Sequence, residues 1–230
     1  MTVLLHTPLF WTALTIGCFL LGQHVYRLTG NLVLLPPILT GFGLVIMTLK
    51  LTDTPYSVYM EGGRYLHDML GPVIVMLAVP LFQQLKALRQ DAIRIALAVT
   101  LGSATTLACA WGLTIWWIGD PMLAQTILTK SITTPVAVAI TSQLGGDPSL
   151  AAAFVILTGL LGVIVILPTM TLLRIRQPEA IGITLGVCAH AIGTSRALEL
   201  GEREAAYAVT AMTLTATLHA IVLPLVAGLL

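Results

Sequence analysis

Residues 128–141 read LTKSITTPVAVAIT, an apolar run that opens with Lys130 among Thr129, Ser131, Thr133 and Thr134 and then meets Pro135. The surrounding chain leaves no soluble interpretation for it. Of 230 residues, 57% are hydrophobic and 9% charged, where soluble domains carry about 25% charge. Thr134-Pro135 falls inside a stretch apolar enough to enter a bilayer, so a helix is expected to break there and restart at membrane depth. If the chain is helical up to the break, Lys130, Thr133 and Thr134 share one face. A buried ammonium costs about 3 kcal/mol on insertion scales, and irregular backbone at that depth survives only inside protein or along a watery cavity. The restarting helix would aim its positive dipole end into that space. A cation, hydroxyl donors and free N–H groups together suit a carboxylate. In a plainer reading Lys130 snorkels to the interface and the hydroxyls bond their own backbone.

Working outward, runs near the ~20 residues a spanning helix needs lie at 9–26, 32–48, 70–85, 91–118, 149–171 and 204–228. Two more, 122–143 and 180–200, are interrupted by polar residues, Gly and Pro. The expected fold is an all-α integral membrane protein with about six transmembrane helices and two broken or re-entrant segments. It forms one polytopic membrane domain over 1–230, with an inverted pseudo-repeat in halves 1–119 and 120–230. Asp120-Pro121 and Asp147-Pro148 read as helix starts, the carboxylate capping and the proline at the first position; Gly71-Pro72 is a weaker case. No basic region precedes the opening apolar run, so a cleaved signal peptide is not expected.

Basic residues set the orientation. Arg27 follows the first run, Lys86, Arg89 and Arg94 the third, and Arg174 and Arg176 the 149–171 run. All become cytoplasmic if the N-terminus is outside and 122–143 dips in from outside and returns. By the same logic 180–200 enters from inside, leaving Arg203 cytoplasmic. Broken segments entering from opposite faces are a transporter pattern, with substrate held near the midplane. The words at 71–79 and 134–141 are weakly alike.

A second constellation is GVCAHAIGTSRALELGE, 186–202. Gly193 permits a break and Thr194 or Ser195 caps the resumed helix, placing Arg196 in its first turn. Arg196 offers a bidentate fork for a carboxylate, or simply pairs with Glu199. His190 is either a proton-coupling group or a hydrogen-bonded packing residue. A third is YMEGGRYLHDMLGP, 59–72, where Glu61, Arg64 and Asp68 have ion-pair spacing and Glu61 or Asp68 is a weaker candidate for proton coupling or gating. An interfacial amphipathic stretch is its blander reading. Trp116 and Trp117 fit interface anchors, and GLLG at 159–162 permits close helix packing. Cys18, Cys109 and Cys188 lack disulfide or metal spacing; core packing is expected for Cys18 and Cys109. No phosphate loop, nucleophile elbow or HExxH occurs, and nothing orients Ser195 near His190 for hydrolysis. No catalytic residue, metal, cofactor or nucleic-acid partner is expected.

KSITTPVAVAI (130–140), GPVIVMLAVPLF (71–82), EGGRYL and AHAIGTSRALE (189–199) resemble the LrgB/CidB family, in order over nearly the whole chain. The resemblance implies holin- or antiholin-like membrane proteins affecting murein hydrolase activity and lysis, often beside a small LrgA/CidA-type membrane partner, here expected in trans. It also implies kinship with plant plastidic glycolate/glycerate transporters and bacterial relatives linked to pyruvate. It draws attention to Lys130, Ser131, Thr133, Thr134, Pro135, His190, Gly193, Thr194 and Arg196. The leading expectation is a plasma-membrane, homo-oligomeric secondary transporter of small monocarboxylates (glycolate, glycerate, pyruvate, lactate), proton-coupled through His190, Glu61 or Asp68. The alternative is a holin/antiholin-like protein modulating murein hydrolase export and cell lysis.

Overall fold

The computed structural model describes residues 7–30, 37–69 and 82–226. These residues are helical, with no strand among them. The chain forms two compact units, residues 1–76 and 77–230. Five described helices are long and apolar enough to cross a membrane. The expected run 70–85 and the word at 71–79 lie almost wholly outside the described residues, and 32–48 is met by a shorter helix.

The first unit holds α1 (Pro8–Leu28), α2 (Pro37–Leu51) and α3 (Tyr56–Asp68). The glycine pair of α3 has a packing explanation. A Cβ on Gly62 would stand 2.0 Å from the Pro8 carbonyl oxygen, so only glycine lets α3 close on α1. Thr12 Oγ1 then donates to Gly62 O at 2.8 Å. Trp11 is fully buried beside this contact. Glu61, Arg64 and Asp68 are exposed and form none of the ion pairs found among the described residues. Their spacing permits pairing, but on an exposed helix face water competes with it.

The second unit holds α4 (Leu85–Gln90), α5 (Ala92–Trp117), α6 (Pro121–Ile127), α7 (Thr134–Leu144), α8 (Pro148–Leu172), α9 (Pro178–Leu200) and α10 (Glu202–Val226). Asp120 caps α6, accepting from Met122 N at 2.9 Å and Leu123 N at 3.2 Å. Asp147 caps α8 in the same way, from Ser149 N at 2.8 Å and Leu150 N at 3.1 Å.

α6 and α7 form a hairpin that leaves on the side it entered. Thr129 Oγ1 lies 2.7 Å from Thr141 Oγ1, and Thr126 Oγ1 accepts from Asp147 N at 2.9 Å. Residue numbers fall along one arm as they rise along the other, so the arms are antiparallel. Gly145 ends the return arm in the left-handed conformation (φ 79°), which glycine adopts without a Cβ penalty.

α9 is the second hairpin, although its 23 residues would suffice to span. His190 leaves helical geometry at φ 41°, ψ −126°. A Cβ on Gly193 would meet Leu185 O at 2.3 Å and Ala189 Cβ at 2.7 Å, so the returning arm lies directly on the entering one. Arg203, just past its end, pairs with Glu179 at its start. α10 then runs beside the entering arm in the same direction: Gly182 faces Glu204 O and Gly186 faces Ala208 O. The order hairpin then span thus occurs twice, in opposite senses.

Lys86, Arg89, Arg94, Arg174, Arg176 and Arg203 all fall at one end of this unit, where α5 starts, α8 ends and α10 starts. The opposite end carries Asp120, Asp147 and the exposed Trp116 and Trp117. The positive-inside bias makes the basic end cytoplasmic. Large apolar side chains such as Leu101, Leu113, Leu157 and Leu161 face outward, as lipid-facing surfaces do. That also corrects one expectation: Cys18 is buried, but Cys109 is exposed. In a bilayer an apolar run marks the outside of a helix as readily as its core.

Candidate functional site

The first hairpin breaks earlier than Thr134-Pro135 suggests. α6 ends at Ile127, residues 128–133 form turns, and α7 begins at Thr134 with Thr133 as its cap residue. Lys130 therefore sits in the unwound tip, on no helix face. The break comes early because cross-arm contacts override local helix preference: Thr126 is tied to the loop before α8, and Thr129 to Thr141. These three threonines shape the tip, and sequence reasoning assigned no role to Thr126 or Thr141.

Lys130 is half-buried, and its Nζ donates to Ser131 Oγ at 3.2 Å. No acidic side chain among the described residues pairs with it. Thr133 makes no side-chain cap bond, so the first-turn N–H groups of α7, Thr134 and Val136, lack the usual capping oxygen. Thr133 and Thr134 are half-buried and Pro135 exposed.

The second hairpin breaks at His190, three residues before the Gly193-Thr194 position favoured by sequence. The reason is tertiary. His190 Nε2 lies 3.0 Å from the Val155 carbonyl oxygen of α8 and donates to it. The ring fits there because Gly159 has no side chain; a Cβ would come 2.8 Å from His190 Cε1. Gly162 likewise admits Ala189, whose Cβ would be 2.8 Å from an added one. GLLG is the seat of this tip on α8. Thr194 does not cap the resumed helix; its Oγ1 donates to His190 O at 2.9 Å. Gly193 is the arm contact described above.

Arg196 falls in the second turn past the break, paired with Glu199. Counted along the helix it is six residues, about 9 Å, from His190.

The tips meet. The backbone and the charge of Lys130 both lie close enough to act on the His190 ring. From the outer end, Val155 is eight residues into α8; from the inner end, His190 is thirteen past Gln177. At 1.5 Å per residue these depths come to about 12 and about 19 Å, which sum to one hydrocarbon thickness of about 30 Å.

Toward the cytoplasm an open cleft of about 610 Å³ is lined by Asp91, Arg94, Glu179, Arg203 and Tyr207 among others. Tyr207 Oη donates to Asp91 Oδ2 at 2.6 Å. That bond, then the Arg94 guanidinium, holds the Asp91 carboxyl below its ordinary value of 3.8, against partial desolvation. Ile95 and Tyr207 line the cleft and also belong to an apolar cluster with Val99, Val187, Ala206 and Ala211. Through these two side chains the cleft abuts this apolar plug. Among the described residues no group of three or more His, Cys, Asp or Glu side chains could hold a metal ion. Glu61 and Asp68 lie on α3 of the first unit.

Comparison with known proteins assigns the family. The LrgB-like family profile matches residues 15–229. The chain belongs to the LrgB-like family. It is 37% identical over 222 residues to the uncharacterized protein YxaC of Bacillus subtilis, covering 94% of each chain. The antiholin-like protein LrgB of Bacillus mycoides is 26% identical, covering 95% of each. The holin-like protein CidB of Staphylococcus epidermidis is 28% identical, covering 92% of each. No solved structure matches. This LrgB-like chain is an all-helical, multi-pass membrane protein.

Proposed function

We propose that this LrgB-like protein is a secondary transporter of small monocarboxylates, of the glycolate, glycerate, pyruvate and lactate class. One observation carries the reading: Lys130, without an acidic partner, stands at an unwound tip in mid-membrane where a hairpin from each face arrives. An intramembrane cation needs a counter-charge, and a short carboxylate supplies it. In this reading Lys130 neutralises the carboxylate, while Ser131, Thr133, Thr134 and the first-turn N–H groups of α7 bond its oxygens. His190, Gly193 and Thr194 form the opposite wall. Arg196, already met by Glu199, takes a place nearer the cytoplasmic mouth. Alternating access would come from rocking the second hairpin against α5 and α10, which opens the apolar plug. The inverted repeat, expected as 1–119 against 120–230, is redrawn in this reading as 121–172 against 178–226.

The relatives' names favour a second reading: a holin- or antiholin-like protein modulating murein hydrolase export and lysis, as a homo-oligomer or with a small LrgA/CidA-type partner. Proteoliposomes separate the two. The carrier takes up labelled glycolate or pyruvate and retains a trapped large dye. Dye loss with no selective uptake of either acid establishes the second reading instead.

A further inference from the structure

Three buried polar side chains take no part in the site so far. Ser103 on α5 and Thr215 and His219 on α10 are 1%, 1% and 0% exposed. Neither hydroxyl, nor either ring nitrogen of His219, has a hydrogen-bond partner. The contrast within α10 is informative. Thr210, Thr213 and Thr217 each donate to the carbonyl four residues back, at 2.8, 2.8 and 2.9 Å. Thr215 turns its hydroxyl away from that option. Thr215 and His219 continue the α10 stripe that begins with Tyr207 and Ala211, each step four residues. On α5, Ser103 is four residues beyond Val99, which shares the apolar plug with Ala211. Helical stepping puts Ser103 and Thr215 at one level just past the plug, with His219 one turn deeper.

A buried polar atom that nothing bonds is costly, so four such atoms together mark a place that a ligand or its waters complete. Among the described residues Lys130 is the charged side chain that acts on the His219 ring. The other titratable groups around Lys130 are His190 and Cys188 on the second hairpin and Cys109 on α5. His190 is anchored to Val155 O; His219 is anchored to nothing. Two cations side by side in a low-dielectric site repel strongly, unless an anion joins them.

Resting on the carboxylate reading above, we infer that His219 is the proton acceptor linked to the Lys130 site. A short carboxylate binding there brings one proton onto the His219 ring, and Thr215 and Ser103 hold the oxygens in between. The ligand enters as RCOO⁻, a ring nitrogen lone pair takes H⁺, and the site gains no net charge.

The test is calorimetric titration of glycolate, then pyruvate, into the purified full-length protein in detergent, in two buffers of different ionisation enthalpy. Wild type is expected to take up about one proton per ligand bound near neutral pH. His219→Gln is expected to abolish that uptake, and His24→Gln, an exposed histidine on α1 of the first unit, to keep it. Uptake unchanged in His219→Gln, or lost only in His190→Gln, overturns the inference while leaving the binding site standing. Thr215→Val removes an orphan hydroxyl at constant shape, so it is expected to fold and to bind glycolate about tenfold more weakly. Unchanged affinity there counts against the inference. Folded wild type that binds neither acid overturns the carboxylate reading and this one together.

Discussion

The two hairpin tips meet but are built on opposite principles. The first is unwound over six residues, 128–133, with a cation, several hydroxyls and a helix start without a side-chain cap. The second breaks at one residue, His190, whose ring is bonded to α8 and whose carbonyl is bonded by Thr194. The first tip has hydrogen-bonding capacity left over; the second has satisfied its own. In the proposed reading the first therefore receives the ligand and the second serves as a rigid wall. Substitutions at the second tip should lower stability, and those at the first should change function.

The sharpest break of that contrast is Gly193→Val. Its Cβ would meet the Leu185 carbonyl at 2.3 Å, a backbone atom that cannot move aside, so a loss of about 3 kcal/mol or more is expected. Thermal unfolding in detergent reads it. Pro135→Ala at the first tip is exposed and is expected to cost under about 1 kcal/mol.

Next comes His190→Ala, expected to cost about 2–4 kcal/mol through the lost ring bond and the cavity. His190→Gly loses the same ring but tolerates φ 41°, so it should unfold about 1 kcal/mol later than the alanine variant. Equal midpoints for the two would show that the break is not a strained keystone. Thr129→Val removes the 2.7 Å cross-arm bond to Thr141 and is expected to cost about 1 kcal/mol. Adding Thr141→Val should recover part of that loss, and a strictly additive double variant would show the two hydroxyls uncoupled.

How much of this was legible beforehand follows the range of the forces. Asp120 and Asp147 cap helices through neighbours two and three residues away, so their sequence context suffices. The two interrupted segments show themselves as polar and Gly/Pro residues in apolar runs, and the basic residues point to entry from opposite faces. The break positions were not legible. Gly193-Thr194 looks like a break by local preference, yet the chain breaks at His190 because the distant Val155 carbonyl and the missing side chain of Gly159 reward it. His219 was invisible for a related reason. A lone histidine in an apolar helix announces nothing until folding leaves both its nitrogens without partners.

The smallest expected effect lies at the cytoplasmic mouth. Folding depresses the Asp91 carboxyl, chiefly through the Tyr207 hydroxyl. A depressed carboxyl contributes stability above its unfolded value, and that contribution disappears as pH falls through the lower folded value. Wild type should therefore lose thermal stability from about pH 4 downward, and Tyr207→Phe should lose less over that interval. Identical acid limbs for the two proteins would remove Tyr207 from the inner mouth's design.

The most direct test of the receiving tip is uptake of labelled glycolate and pyruvate by proteoliposomes carrying wild type or Lys130→Met. Removing a half-buried, unpaired ammonium should leave the thermal midpoint unchanged or raised, while carboxylate flux falls about a hundredfold or more. Flux at the wild-type level in a folded Lys130→Met protein would contradict a carboxylate site at the meeting of the two tips.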